Sequence, residues 1–497
     1  MNVHGSHRSN TPKPLKVGII GGGIAGSTIA LRLAELGIDV ELFEEGSSLV
    51  NGPPICHLHA GGNLYREISD QQCLTLLQQS IDTLRVFPHT ANIRPTVIAI
   101  PERDAGEPEA LLPRLALLQE TYHGLVQQDS KNQVLGEPEY YYKVYYQDDL
   151  ERLARSDTPS EPKNLDDWMI PVAKNLNLNE FKFPLILVQE YGLSVFRLAA
   201  TAGLALEQLP ACSVNTQAKV INIQQNESQN HWSITYQQYD ASIKDHITHS
   251  TDVDYLINAC GYRTGTLDDM ADLHRTRMVE FKAAFVTQWK ERDGVWPEVI
   301  FHGERGTPNG MAQLTPYPDG YFQLHGMTED ITLFRKGLVS SSAQSAQPQL
   351  GSQFIRKLKE GWQNSDIETR TDRAIQHMAQ FIPAYRSATV GGKPLFGAQQ
   401  IPGDDPSLRA ADISFAGSRY ARTEIVKASS ALSAANRLVQ QFKNEGLLAG
   451  FDDDLAMALE QRFPVTSGLN QKDVITEAEK LASERSYPPA LAQLVRF

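Results

Sequence analysis

Leu15 to Glu45 reads LKVGIIGGGIAGSTIALRLAELGIDVELFEE. The run Val17–Ile20 is short, β-branched and closed by glycines, as a strand buried on both faces is. It opens into Gly21-Gly22-Gly23-Ile24-Ala25-Gly26, which fits G-x-G-x-x-G. The first glycine permits the tight turn, the second lets a pyrophosphate approach the backbone, and the third lets helix and strand pack closely. Ser27 to Leu36 then predicts a buried helix whose N-terminal amides and dipole face that pyrophosphate. Gly37 caps the helix, and the strand Ile38–Phe43 delivers Glu44 and Glu45. A carboxylate about 20 residues beyond the glycines is placed to accept ribose hydroxyl hydrogen bonds. A lone glycine motif is weak; strand, turn, helix, cap, strand and acid in this order specify a βαβ unit for an adenine dinucleotide.

The bulk of the chain narrows its partners. It has 497 residues, 41% hydrophobic and 21% charged, with a formal net charge of -13. This balance leaves no clustered Lys/Arg surface for phosphodiesters, so nucleic acid is excluded as a partner. The four cysteines are too scattered for a disulfide framework, so reduced thiols and a cytoplasmic location are expected. Residues 1–14 read as a disordered tail without the apolar stretch of a secretory signal. No apolar run approaches the roughly 18 residues of a membrane span, and membrane contact is expected to be peripheral at most. Cys56, His57, His59 and Cys73 fit no metal-ligand spacing, and no metal is expected. Neither G-x-S-x-G nor a Walker sequence occurs, which leaves hydrolase and NTPase readings unsupported.

Two further segments have the same character. Val253–Gly261 (VDYLINACG) predicts a strand ending in small residues, followed by Tyr262-Arg263-Thr264-Gly265. Asp412–Val439 predicts a short strand, a glycine-containing turn and a long helix rich in Ala and Ser. With the βαβ unit, these segments resemble the flavoprotein superfamily of D-amino acid oxidase, glycine and sarcosine oxidases and 2-hydroxyacid dehydrogenases. The resemblance implies FAD as cofactor, and no second G-x-G-x-x-G suggests a separate pyridine-nucleotide domain. It implies cofactor contacts from Gly21, Gly22, Gly23, Ile24, Ala25, Gly26, Glu44, Glu45, Val220, Gly261, Gly417, Ser418, Arg419 and Tyr420. It also matches Cys56–Asn63 to a small-residue stretch lying along the flavin, with His59, Ala60, Gly61 and Gly62 as contacts. His59 stands where some amine dehydrogenases carry a covalent flavin link; non-covalent contact is the expectation here. The turn Gly417–Arg422 departs from the several glycines usual in relatives, and its cationic residues are candidates for the substrate site. The Gly-Asp pair of the hydroxylase branch is absent there.

The implied fold is α/β: a Rossmann-type FAD-binding domain with a parallel sheet, plus an α+β substrate domain with a mostly antiparallel sheet. The boundaries expected are FAD-binding parts at 15–90, 189–275 and 386–445, substrate parts at 91–188 and 276–385, and a helical extension at 446–497. Residues 90–188 read as mixed and rich in surface loops, with a Tyr140–Tyr146 aromatic cluster. Ala218–Tyr236 alternates around a polar turn as a hairpin does. Arg277–Leu338 predicts a second antiparallel set that gathers His302, Arg305, Gln313, Tyr317, Tyr321, Gln323 and His325. Two readings of it stand: a polar lid over the flavin's reactive face, or a hairpin with a polar outer face. The extension reads as amphipathic helix, suited to capping the domain, pairing subunits or touching a membrane-bound acceptor.

The resulting expectation is an FAD-dependent oxidase or dehydrogenase of a small amine, amino acid or 2-hydroxy acid, reoxidised by oxygen, a quinone or another carrier. A flavin-binding protein with a structural or assembly role is the alternative. An acid substrate calls for an Arg fork, for which Arg305, Arg419, Arg422 and Arg263 are candidates in that order. An alcohol calls for a base, for which His325 and His302 are candidates.

Overall fold

Val17, Ile19, Val40 and Leu42 are fully buried because their strands lie inside a six-stranded sheet. In the computed structural model the strand order is Ile413–Ala416, Tyr420–Thr423, Tyr255–Asn258, Lys16–Ile20, Asp39–Phe43 and Cys212–Asn215. The structure describes residues 15–494 except 53–57, 61–67, 227, 229, 410, 450 and 452–456; of 58–60 it describes the backbone. All neighbours in this sheet are parallel apart from Ile413–Ala416, which pairs antiparallel with Tyr420–Thr423. One face packs on the helices Ile24–Glu35, Val195–Glu207 and Ser430–Asn444, in a core that includes Ile29, Leu33, Ala199, Ala434 and Leu438. The other face is covered by the antiparallel meander Ala218–Asn226, His231–Asp240 and Asp245–Val253. Ile20 and Phe43 meet Trp232, Ile234 and Val253 there. The expected hairpin is thus two strands of three.

A ten-stranded sheet forms the second lobe. It runs Leu338–Ser340, Arg277–Gln288, Tyr321–Gly326, Ala312–Pro316, Glu298–Phe301, Thr96–Pro101, Phe181–Val188 and Tyr142–Tyr145, and Thr389–Val390 and Leu395–Pro402 also pair along Arg277–Gln288. Only Glu298–Phe301 with Thr96–Pro101 is a parallel pair. Three of these strands come from the stretch read as loop-rich, so residues 91–188 contribute more sheet than the sequence suggested. Alternation splits the residues between two faces. Val97, Phe285, Val299, Leu314, Phe322 and Leu324 join one core with Trp168, Met169, Ile375 and Met378. Their neighbours Ile98, Ile100, Val286 and Leu395 instead join the core of the parallel-sheet lobe. The large sheet therefore turns one whole face towards that lobe.

Two connections tie the lobes together. A small sheet orders Leu58–Ala60, Tyr191–Leu193 and Ala91–Asn92. A buried ionic network crosses from the parallel sheet to the long strand Arg277–Gln288. Asp268 accepts from Arg422 Nε at 2.6 Å, from Tyr420 Oη at 2.8 Å and from Arg277. Arg277 Nη2 also reaches Glu424 at 3.1 Å, and Glu424 in turn pairs with Arg275. Burial and then the Asp268 charge hold the Tyr420 phenol well above its usual range. Asp268 pairs with both Arg277 and Arg422, which are themselves buried, so its removal strands buried charge. For Asp268→Asn we expect a loss of about 3–5 kcal/mol, read as a lowered midpoint in chemical denaturation.

Candidate functional site

The strand Lys16–Ile20 ends in a turn that only glycines can build. Gly21 has φ of +103°, and a Cβ there would lie 2.3 Å from the Ala259 carbonyl oxygen. A Cβ on Gly26 would lie 1.9 Å from the Gly21 carbonyl oxygen, so the helix beginning at Ile24 and Ala25 rests directly on the strand end. Gly23 differs. A Cβ there meets nothing within 4 Å, its extended backbone suits any residue, and no side chain caps the helix N-terminus it begins. The first helical amides have no intrahelical acceptor, and they open onto the carboxyl edge of the parallel strands, where dinucleotides bind in such sheets. An absent side chain, an open cradle and uncapped amides together fit a pyrophosphate.

Glu44 is fixed at that edge. Its carboxylate accepts from the amides of Gly22 at 2.7 Å and Gly46 at 2.7 Å. Glu45, exposed, pairs with Arg263, which follows Gly261 (φ +56°) at the end of the neighbouring strand. The meander starts beside them: Ala218 donates to the Glu44 carbonyl at 2.9 Å and Gln217 to that of Gly46 at 2.8 Å. Val220, half-buried, packs into the same cluster as Cys260. These residues line one edge of the sheet. His59 and Ala60 lie on the small sheet, where His59 is in register with Gly192; Gly61 and Gly62 lie outside the described residues.

Gly417, Ser418, Arg419 and Tyr420 do not join this group. Tyr420 is level with Leu256, which is level with Gly18, so the turn 417–419 sits beyond the amino ends of the strands. Ser418 O accepts from Trp232 Nε1 at 3.2 Å, and Arg419 Nη1 donates to Asn230 O at 3.2 Å. The Tyr420 side chain is buried against Asn258 and Asp268. The expected strand–turn–helix is in fact strand, hairpin turn, second strand and helix. The glycine belongs to the hairpin, and 424–429 connects the second strand to the helix Ser430–Asn444.

On the large sheet, Gln313 and Thr315 alternate with Leu314, and Gln323 and His325 with Phe322 and Leu324. The polar set is buried and lies on the face turned to the nucleotide lobe, so it is not a polar outer face. Gln313 Nε2 donates to Glu298 Oε1 at 2.7 Å, and Tyr317 Oη to Gln323 Oε1 at 3.3 Å. Arg94 completes the group: its Nη2 is 3.5 Å from Glu298 Oε2 and its guanidinium lies 5.8 Å from the Tyr317 ring centre. Arg94 and Gln323 are each 1% exposed. Arg94 Nε and Nη1 and Gln323 Nε2 are buried donors with no hydrogen-bond acceptor among the described residues. Burial holds the Arg94 pKa below its usual range; burial and the Arg94 charge pull neighbouring Arg197 down to about 9. A Cβ on Gly192 would sit 3.0 Å from Arg94 Nη2, so this guanidinium stands beside the ladder that carries His59.

Sequence reasoning missed Arg94. The signal was a cation two residues before the wholly buried strand Thr96–Pro101. Of the four arginines it favoured, Arg422 pairs with Asp268, Arg263 with Glu45, and Arg419 lies at the far end of the sheet; Arg305 pairs with Glu280 on the polar face, and its Nη1 is a further buried donor with no acceptor among the described residues. His325 lies on the polar face, whereas His302 ends its strand with its amide on Ala99 O at 3.0 Å. Among the described residues, no helix is long and apolar enough to cross a membrane.

A family model described as an NAD(P)-binding Rossmann-like domain matches residues 19–50. No curated protein matches the sequence. Among solved structures, the glycerol-3-phosphate dehydrogenase from Bacillus halodurans complexed with FAD superimposes with a TM-score of 0.53 at 14% identity, over 97% of this chain and 81% of that one. L-proline dehydrogenase from P. horikoshii does so at 0.53 and 12%, over 90% and 96%. L-amino acid deaminase from Proteus vulgaris gives 0.54 and 12%, over 91% and 96%. The chain shares the two-domain fold of these oxidoreductases.

The contrast between two glycines gives a test of the cradle. Gly23→Val should melt like the wild type yet lose the adenine dinucleotide, read by cofactor absorbance of the purified protein. Gly26→Val should fail to fold stably, because its side chain meets backbone that cannot yield.

Proposed function

We propose that this chain is an FAD-dependent oxidoreductase that oxidises a small amino or hydroxy acid at the carbon beside its carboxylate. The observation that carries the reading is the buried donor set of Arg94 and Gln323 on the sheet face turned to the dinucleotide lobe. Buried N–H groups without acceptors are costly, about 1–3 kcal/mol each and more when charged, and sites persist in that state where a ligand completes them. Both groups are donors only at the atoms concerned, so the complement is an acceptor with two oxygens. A carboxylate fits the guanidinium fork.

The residues that would hold FAD are Gly21 to Gly26 at the pyrophosphate, Glu44 at the ribose, and Val220 with Gly261 at the neighbouring edge. When bound, FAD supplies the two-electron acceptor for a hydride. The chain itself does the positioning. Arg94 and Gln323 anchor the acid, which fixes the adjacent C–H relative to the nucleotide lobe and lowers the entropic part of the barrier. As hydride leaves, the amino or hydroxyl proton must leave too, and His325 stands on the same face two residues from Gln323 to take it. Glu298, held by Gln313, orients the guanidinium without occupying its remaining donors. Turnover then requires an electron acceptor such as oxygen or a quinone.

The similarity of fold to a glycerol-3-phosphate dehydrogenase, an L-proline dehydrogenase and an L-amino acid deaminase supports the reaction class; the polar face supports the substrate class. The test is anaerobic stopped-flow reduction with amino acids, N-methyl amino acids, 2-hydroxy acids and the corresponding decarboxylated amines and alcohols. Only carboxylates should reduce the cofactor rapidly. Arg94→Met should lower kcat/KM for the responding acid by about 100-fold, the loss of charged hydrogen bonds, while Arg94→Lys recovers part of it. Equal reduction by acids and their decarboxylated forms would remove the substrate assignment.

A further inference from the structure

The helical extension does not project from the molecule. Its helix Gln471–Glu484 packs on Val195–Glu207, Glu35 of the glycine-turn helix accepts from the amides of Val465 and Thr466 at 3.1 and 2.9 Å, and Arg197 Nη1 donates to Ala492 O at 3.0 Å. One side chain of the extension reaches the nucleotide edge. Arg485, the residue after the helix, donates from Nη1 to Val50 O at 3.0 Å, and from Nη2 to Leu49 O at 2.8 Å and Ser48 Oγ at 3.0 Å. The segment it grips in turn grips the glycine turn: Val50 N donates to Gly22 O at 2.8 Å, and Leu49 Cδ2 lies 2.6 Å from where a Cβ on Gly22 would be.

This segment has a conformation it would not hold by itself. Val50 has φ of +54°, the left-handed region that a β-branched residue occupies only under constraint. Its N–H is tied to Gly22 and its carbonyl to Arg485, so the strained residue is pinned at both ends of its peptide. Leu49 and Val50 are buried, which adds packing to the same restraint. The sequence from Gly46 up to the small sheet (GSSLVNGPPICH) has no Lys or Arg, and the guanidinium bonded to it comes from more than 430 residues away. The extension is also tied to the other lobe, through Tyr487 Oη to Pro394 O at 3.0 Å.

We propose that Arg485 is a positioning residue for the dinucleotide: it clamps residues 48–50 onto the glycine turn, so that cofactor retention depends on the far end of the chain. The inference rests on the FAD reading given above and adds to it an element outside the βαβ unit. Released, Val50 relaxes from its left-handed conformation, the bond to Gly22 O is lost, and the amides of the turn are no longer held in one arrangement.

The experiment titrates FAD into apoprotein prepared from the full-length chain, for the wild type, Arg485→Met, Arg485→Lys and Tyr487→Phe, with melting of each apoprotein alongside. Arg485→Met should weaken FAD at least about tenfold, the loss of charged hydrogen bonds to the segment, with melting no lower than that of Tyr487→Phe. Arg485→Lys should lie between it and the wild type. Tyr487→Phe releases the extension from Pro394 but keeps the clamp, and should bind FAD as the wild type does. Wild-type affinity in Arg485→Met, or equal weakening in Tyr487→Phe, overturns the proposal. If Arg485→Met does not accumulate folded, Arg485→Lys decides: weaker FAD binding at wild-type melting supports the clamp, and unchanged binding overturns it. Failure of the wild type to bind FAD overturns the cofactor reading itself, a different result from any of these.

Discussion

The helix Ile24–Glu35 can rest on the end of strand Lys16–Ile20 only because Gly26 has no side chain: a Cβ would sit 1.9 Å from the Gly21 carbonyl. That contact aims the helix N-terminus across the carboxyl edge of the parallel sheet, and everything else at this edge is organised around it. Glu44 takes the Gly22 amide, Val50 takes the Gly22 carbonyl, and Gly23 is left open. The fixed partial positive charge of the helix end then lies beside Gly23, where a Cβ would meet no described residue within 4 Å. The second lobe brings its polar sheet face against the same edge, joined by the small sheet and by the Asp268 network.

That polar face runs against the usual logic of a β-sheet core. Gln313, Gln323, His325, Glu298, Glu280 and Lys282 are all buried, where an apolar set of similar volume would stabilise more. Most of them are mutually hydrogen-bonded or ion-paired, which limits the cost. A chain that keeps such a surface inside loses stability there, a cost that the carboxylate site proposed above would account for, since hydrogen bonds away from water discriminate more strongly.

The parts of this arrangement that were legible in the sequence are the local ones. Turn, helix, cap and acid between Gly21 and Glu44 follow from spacing within one stretch of chain, and the alternation in Arg277–Leu338 foretold an antiparallel sheet with a polar face. The parts that were hidden are set by pairing. Whether Gly417 faces the cofactor depends on the direction of the next strand; once Tyr420–Thr423 turns back as a parallel neighbour of Tyr255–Asn258, the glycine is carried to the opposite end of the sheet. Arg94 meets Glu298 across 204 positions, and Arg485 meets Val50 across 435. No periodicity encodes such contacts.

Three of the four arginines favoured from the sequence are tied to carboxylates of the chain itself. The chain has 59 acidic and 46 basic side chains, so a cation readily finds a carboxylate, as Arg305 and Arg263 do at the surface and Arg422 does inside. In an acidic protein a guanidinium meant for an anionic ligand has to be kept from the chain's own carboxylates. Arg94 meets that condition by geometry. Its carboxylate partner, Glu298, is 0% exposed and is held by Gln313, and two donors on Arg94 are left without an acceptor among the described residues. Residue type therefore says little about which arginine is left with spare donors; unspent hydrogen-bonding capacity in a buried place belongs to the fold and not to any motif.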